Sequence, residues 1–568
     1  MAVRGVRTVR AAAVVAALLL PVSVPGHGHE APRPGPVVVT ASPTALTNPA
    51  DPFRAGLVPA PDADARGMFT AQLDWPLIPI HAALLPDGHL VTYGTPLGRA
   101  EQGGLAYDDW SPTDGSHTGT PSTTAYNSFC NGLQALPDGR LIMVGGDTTT
   151  STMVYDPATH SQDAGPDLNR QRWYATALRL PDDRILVLGG ADAHHTEAYR
   201  NPLHDSGVAV VPEIGDGRGD WSLLIGAGSR TAFGAERNRW WYPRAYVAGD
   251  GSVFGMSDDR MWRLDVDGPG RVTELGTLPV RPGVSGSSVM VEPGRILVAG
   301  GGQAANTDAV TGTEHAVVVD ISGPPRVEPT APMAYRRNWG NLTVLSDGRV
   351  LANGGTVVGT GPGAGNSSST AEIWDPATGS WIPAATAARI RTYHSTSVLL
   401  PSGAVFTGGG GLPGPEDNLN AEVYYPPSLF ERAADGRVTW ADRPAITSIA
   451  GDLRYGGTLR LGLADDRRIA SASLIRLGLV THSVNADQRR VPVPVDQDGA
   501  AASVQLPDAP GLLPPGGYLL QVVDDEGVPS PSQTVTITAD RSPGTVTATR
   551  DQGGRAGFWE PVRDTNRN

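Results

Sequence analysis

One short phrase recurs seven times along this 568-residue chain and restricts its fold more than any other feature. Each copy is an apolar strand, a Pro-Asp-Gly-like turn and a second strand running into glycines. The copies read HAALLPDGHLVTYG, NGLQALPDGRLIMVGG, ATALRLPDDRILVLGG, PRAYVAGDGSVFG, GSSVMVEPGRILVAGGG, NLTVLSDGRVLANGG and STSVLLPSGAVFTGGGG. Their first turn residues are Pro86, Pro137, Pro181, Gly249, Glu292, Ser346 and Pro401, spaced 51, 44, 68, 43, 54 and 55 residues apart.

A period near 50 residues fits kelch-type propeller blades, each a four-stranded sheet that needs neighbours to bury its faces. The phrases MVYDPATHS at 153–161 and AEIWDPATGSW at 371–381 read as outer strands entering tight turns. The 68-residue interval holds an insertion between Ala191 and Arg239 with His194, His195 and His204. After about Asp435 the pattern changes to short alternating strands with Gly/Pro turns over about 100 residues, which suggests an immunoglobulin-like sandwich. The expected fold is all-β: a seven-bladed kelch-type propeller over 66–435, an immunoglobulin-like (early-set) sandwich over 436–540, and a tail over 541–568.

In such a blade the strand before the turn is innermost, so equivalent positions on the seven copies should ring one mouth of the axis. Seven positions before the first turn residues lie Pro79, Cys130, Tyr174, Tyr242, Ser285, Trp339 and His394, with Tyr393 one step before His394. Cys130, Tyr174, Tyr393 and His394 carry redox-active or metal-binding groups. His482, in the LVTHSVN phrase of the second domain, is a further candidate. Two imidazoles and two phenolates would make the tetragonal N,O set that Cu(II) favours, although spacing alone selects neither copper nor oxidation. A single Tyr at a strand start is ordinarily packing, and adjacent loop histidines such as His194 and His195 are ordinarily solvated. Register across repeats is what distinguishes this set.

Composition narrows the field. The net charge of −14 argues against nucleic acid as a partner. The chain has no lysine, which excludes Schiff-base chemistry on a lysine side chain. Arg4, Arg7 and Arg10 precede an apolar run from Ala11 to Leu20, a signal-peptide layout over 1–26 that also allows a retained N-terminal membrane anchor. Residues 27–65 are Pro- and Ala-rich and read as a linker. A secreted or cell-surface protein, acting as a monomer, is expected. Export favours disulfides, yet Cys130 is the sole cysteine. A buried thiol is the ordinary reading, and a thiol consumed by some other covalent bond is the alternative.

The phrases FC-NGLQALPDGR, RWYATALRLPDDRILVLGG, RTYHSTSVLLPSG and THSVN together resemble the galactose oxidase and glyoxal oxidase family of copper radical oxidases. The likeness spans the repeats and the C-terminal region. It implies a thioether between Cys130 and Tyr174 that carries a radical, and one copper ion bound by Tyr174, Tyr393, His394 and His482 with an open position for water or substrate. It implies Tyr393 as the catalytic base and oxidation of a small aldehyde or primary alcohol by O2 with release of H2O2. Galactose oxidase has a Trp stacked on its radical after the Gly-Gly of the tyrosine copy. Here Gly189, Gly190 and Ala191 are followed by Asp192, so Trp339, at the register position of the sixth copy, is a candidate to cover the cofactor from another direction, with core packing the equal alternative. The RWY and TYH contexts are closer to the glyoxal oxidase branch, including its bacterial members. Small substrates such as glyoxal or glycolaldehyde are therefore expected ahead of galactose. The competing readings are a non-catalytic secreted propeller that binds glycans or proteins, and a propeller hydrolase or lyase. The latter is disfavoured because no carboxylate occupies the seven register positions.

Overall fold

A computed structural model describes residues 44–46, 51–96, 106–124, 126–147, 150–192, 207–360, 366–411, 418–539 and 545–547. The signal-like segment, His194, His195, His204 and most of the tail lie outside these. Among the described residues the architecture is all-β, and no helix is long and apolar enough to cross a membrane.

Each of the seven phrases forms two adjacent antiparallel strands of its own sheet. The third copy is typical: Trp173–Arg179 pairs with Ile185–Ala191, then Glu213–Gly215 and Ser222–Leu223 complete four strands. The turn has a fixed requirement. Its third residue takes φ between 68° and 90° in all seven copies, and this residue is Gly in six. In the third copy Asp183 stands there, and its carboxylate accepts from Arg179 of the preceding strand. Asp is among the few side chains that tolerate this region.

Two repeat sheets are completed from elsewhere in the chain. The seventh repeat sheet (Ser395–Leu399, Val405–Gly409, Asn420–Tyr425) receives Met68–Phe69 and Leu73–Asp74 on its outer edge. The first repeat sheet receives on its inner edge a hairpin, Leu479–Thr481 with Val484–Asn485, from the C-terminal region. The rest of that region contributes four and five strands to two further sheets sharing one buried core that includes Ile449, Leu461, Leu474, Val504, Tyr518, Leu520 and Val535. Within the Pro- and Ala-rich stretch, Thr44–Ala45 pairs with Ile446–Gly451 and Ala63–Arg66 forms one helical turn.

Buried ion pairs hold the entry to three inner strands. Arg172, Arg337 and Arg391 reach Glu213, Glu372 and Glu422 at 2.9, 2.9 and 3.0 Å. Each Glu lies on the third strand of its sheet, and each Arg lies two or three residues before a register residue: Tyr174, Trp339 or His394. The guanidiniums also donate to backbone carbonyls, as Arg172 does to Gly189 and Val211. Such planar, multiply bonded pairs fix the direction from which the inner strand starts.

Candidate active site

The register residues meet. Cys130, Tyr174, Tyr242 and Trp339, together with Tyr393 and Trp241, belong to one buried cluster. Their backbones are linked directly: Tyr174 N donates to Cys130 O at 2.9 Å, Tyr242 N to Tyr174 O at 2.8 Å, and Trp339 N to Ser285 O at 2.8 Å. At the first and last copies, Thr396 Oγ1 donates to Pro79 O at 3.2 Å.

This row is conformationally unusual. Cys130, Tyr174, Tyr242, Trp339 and His394 have φ of 60°, 63°, 42°, 59° and 71°. Bulky side chains rarely take the left-handed region, at a cost of about 1–3 kcal/mol each. His482 and Ser483, φ 47° and 64°, form the two-residue tip of the hairpin that joins the first sheet. Positive φ at both central residues is what a type I′ hairpin turn needs, and Asn-Gly is its usual occupant. The strain aims His482 into the cluster.

The chemical groups converge tightly. Tyr174 Oη and Tyr393 Oη are 2.6 Å apart. Cys130 Sγ lies 3.3 Å from His482 Nε2. Ligand atoms of Cys130, His394 and His482 lie within 4.8 Å of one another, and all three residues are buried. The imidazoles are oriented from behind. His394 Nδ1 lies 2.9 Å from Gly411 O, and His482 Nδ1 bonds Thr481 Oγ1, so in each the other nitrogen is the one available as a ligand. Asn306 Nδ2 donates to Tyr393 Oη at 3.2 Å. Burial pushes the Tyr174 phenol and the Cys130 thiol well above their ordinary values, and Cys130 and Tyr393 add to the effect at Tyr174. Burial, and then the neighbouring His394, holds His482 well below the ordinary histidine range.

Trp339 faces Tyr393 and does not lie on the Tyr174 ring. It packs edge-on against Tyr393 (4.6 Å, 67°) and donates its indole N–H to Gln303. The ring lying flat on Tyr174 is Trp241, at 4.0 Å and 16°, with Trp173 also stacked at 4.3 Å and 30°. The physical reason is position: Trp241 and Trp173 directly precede the register residues Tyr242 and Tyr174, so they turn onto Tyr174 from the third and fourth copies. Trp339 starts the sixth copy, beside the seventh, which carries Tyr393. The signal that identifies Trp241 was in the chain, since the residue before a register position can also reach the cluster, as Tyr393 does before His394.

Comparison with known proteins agrees with this geometry. Residues 115–429, more than half of the chain, match the sequence model of the glyoxal oxidase N-terminus, and residues 443–537 match the galactose oxidase-like early set domain. The chain belongs to the galactose oxidase and glyoxal oxidase family of copper radical oxidases, and it is an oxidase. It is 28% identical to a galactose oxidase of Gibberella zeae over 86% of this chain and 72% of the other. It is 24% identical to the aldehyde oxidase GLOX of Vitis pseudoreticulata over 72% of this chain and 82% of the other. A fungal alcohol oxidase solved in complex with copper is 26% identical, with a TM-score of 0.72 over 83% of this chain and 99% of that one. The reading as a non-catalytic binding propeller falls with this membership.

Proposed function

We propose that this oxidase holds one copper ion through Tyr174, Tyr393, His394 and His482, and matures a Cys130–Tyr174 thioether beside it. The observation that carries the reading is the meeting, in one buried cluster, of two phenols 2.6 Å apart with a thiol and two imidazoles from four separated stretches of chain. Two N and two O donors suit Cu(II). Burial alone opposes ionisation of Tyr174, and a divalent ion among these atoms reverses that preference, as it does for coordinated thiols.

When bound, copper supplies one of the two one-electron sites that oxidation of an alcohol or aldehyde hydrate by O2 requires, Tyr174 being the other. Tyr393 Oη accepts the proton of the substrate hydroxyl as general base, and the Asn306 amide orients it. Trp241 and Trp173 cover the Tyr174 ring and keep water from it. Maturation forms one S–C bond and removes one S–H and one ring C–H. The two electrons and two protons go to O2, giving H2O2.

The substrate is a small aldehyde or primary alcohol, such as glyoxal or glycolaldehyde, in preference to galactose. The RWY and TYH contexts and Asp192 in place of a Trp after the glycines support this. A seven-bladed kelch-type propeller over 66–435 and an immunoglobulin-like sandwich over 436–540 are supported by the seven successive sheets and the Thr396–Pro79 bond between the last copy and the first. Export, by a cleaved signal or on a retained anchor within 1–26, is supported by the Arg4, Arg7, Arg10 layout. Copper analysis tests the assignment: one ion per chain is expected, sharply reduced in His394→Ala and His482→Ala, and unchanged copper in both variants would refute it.

A further inference from the structure

A file of aromatic rings leads away from the cluster through the first two repeat sheets. His81 lies with its ring 5.7 Å from that of His482, itself 5.3 Å from Tyr174. His81 stacks on Tyr93 at 4.3 Å and 5°, Tyr93 on Tyr107 at 5.3 Å and 29°, and Tyr107 on Tyr155 at 5.6 Å and 11°. The first three are cross-strand neighbours on adjacent strands, His81 opposite Tyr93 and Tyr93 opposite Tyr107. Tyr155 continues the file from the second sheet, and its hydroxyl meets His160 Nδ1 at 3.2 Å. The His160 side chain is 35% exposed and stands 3.7 Å from the Asp109 carboxylate.

Two features set this file apart from ordinary packing. His81 is fully buried and neither ring nitrogen has a hydrogen-bond partner among the described residues. An orphaned buried polar atom costs about 1–3 kcal/mol, so an apolar ring would serve packing better. The second feature is where the phenol protons can go. Tyr93 donates to Asn131 Oδ1 at 2.9 Å and Tyr107 to Ser128 Oγ at 2.8 Å, neither of which is a base. Among the described residues, only the Tyr155 hydroxyl of this file meets an imidazole nitrogen, His160 Nδ1. An electron vacancy can therefore cross Tyr93 and Tyr107 in passing and settles at Tyr155.

We propose that His81, Tyr93, Tyr107 and Tyr155 form an electron-transfer route between Tyr174 and the surface at His160, through which small phenolic one-electron donors reduce the oxidised protein. The proposal rests on the reading of Tyr174 as the radical site. The internal step is balanced: the Tyr174 phenoxyl gains one electron and becomes phenolate, Tyr155 loses that electron, and the Tyr155 phenol proton passes to His160 Nδ1. A donor phenol then returns one electron, the proton moves back from His160 and restores Tyr155, and the donor leaves as its phenoxyl radical with its own proton released to solvent.

The test uses copper-loaded full-length protein, oxidised with ferricyanide and freed of it, without alcohol or aldehyde. The optical signal of the Tyr174 radical is followed after adding hydroquinone tethered to dextran, which is too bulky for a buried cluster. Tyr107→Phe and Tyr155→Phe keep the rings and remove the oxidisable phenols. Each should slow decay of the radical about ten-fold or more, equivalent to at least ~1.4 kcal/mol on the barrier. Tyr246→Phe, in the fourth copy, should decay as the wild type does, and circular dichroism should match in all. Wild-type decay rates in both Tyr107→Phe and Tyr155→Phe would overturn the route while leaving the oxidase reading intact. Failure of the wild-type protein to form a tyrosyl radical would overturn that reading and the route with it.

Discussion

The Trp241 indole lies flat against the Tyr174 ring, with centroids 4.0 Å apart and planes 16° apart. Aromatic pairs in this geometry interact by about 0.5–1.5 kcal/mol beyond their buried area. A ring about to lose an electron benefits most from such a neighbour. Trp241→Phe should therefore raise the one-electron potential of Tyr174 and shorten the life of its oxidised form. Trp339→Phe, at a ring edge-on to Tyr393, should move that potential much less. Redox titration of both variants decides, and an equal or larger shift in Trp339→Phe would contradict the assignment.

Arg172 and Glu213 are both fully buried, and Tyr174 lies two residues after the arginine. Removing one partner leaves an uncompensated buried charge, which costs about 3–5 kcal/mol. Arg172→Ala should lose stability in that range by chemical denaturation. A loss below about 1 kcal/mol, the range of exposed pairs, would show that the pair does not anchor the strand.

Two buried imidazoles make the copper-free protein sensitive to acid. Burial holds His81 and His482 well below the ordinary histidine range, and the charge of His394 adds to it. Below about pH 6.5 the unfolded chain binds protons at these positions that the folded chain does not. Stability is thus full above that pH and falls as pH drops toward the depressed folded values, by about 1.4 kcal/mol per pH unit for each group. Denaturation midpoints from pH 7.5 to 5 should fall, and His81→Phe should reduce the slope. A flat profile in the wild type would contradict this.

Tyr393 Oη sits between Tyr174 Oη and the Asn306 amide. A positioned general base contributes about 10²–10⁴-fold to rate. Tyr393→Phe should keep the fold and lose turnover on that scale in a peroxide assay with glyoxal or glycolaldehyde. Full activity would remove Tyr393 from the role. In the same assay, a much higher kcat/KM for galactose would refute the small-substrate reading without touching the oxidase assignment.

Much of this was legible because the repeats keep register. Counting to one position placed Cys130, Tyr174, Trp339 and His394 on equivalent strand starts, and the structure brings them together. The cover over Tyr174 was not legible by that count, which passed over Trp241 and Trp173 one step earlier. His482 was legible only through the THSVN phrase. Its hairpin pairs with Leu77–Leu84, some 400 residues away, and no local pattern announces such pairing. The left-handed φ of five register residues and the Arg–Glu pairs behind three of them are likewise products of tertiary packing overriding local preference.

The covalent state of Cys130 tests the central claim most directly. Its thiol is buried within 3.3 Å of His482 and is the only one in the chain. Intact mass and peptide mapping before and after exposure of the copper-free protein to copper and O2 should show a loss of about 2 Da, as expected for oxidative joining of a thiol, and a single peptide pair linking Cys130 to Tyr174. Tyr174→Phe should show neither. A Cys130 thiol still titratable in active, copper-loaded enzyme would contradict the account.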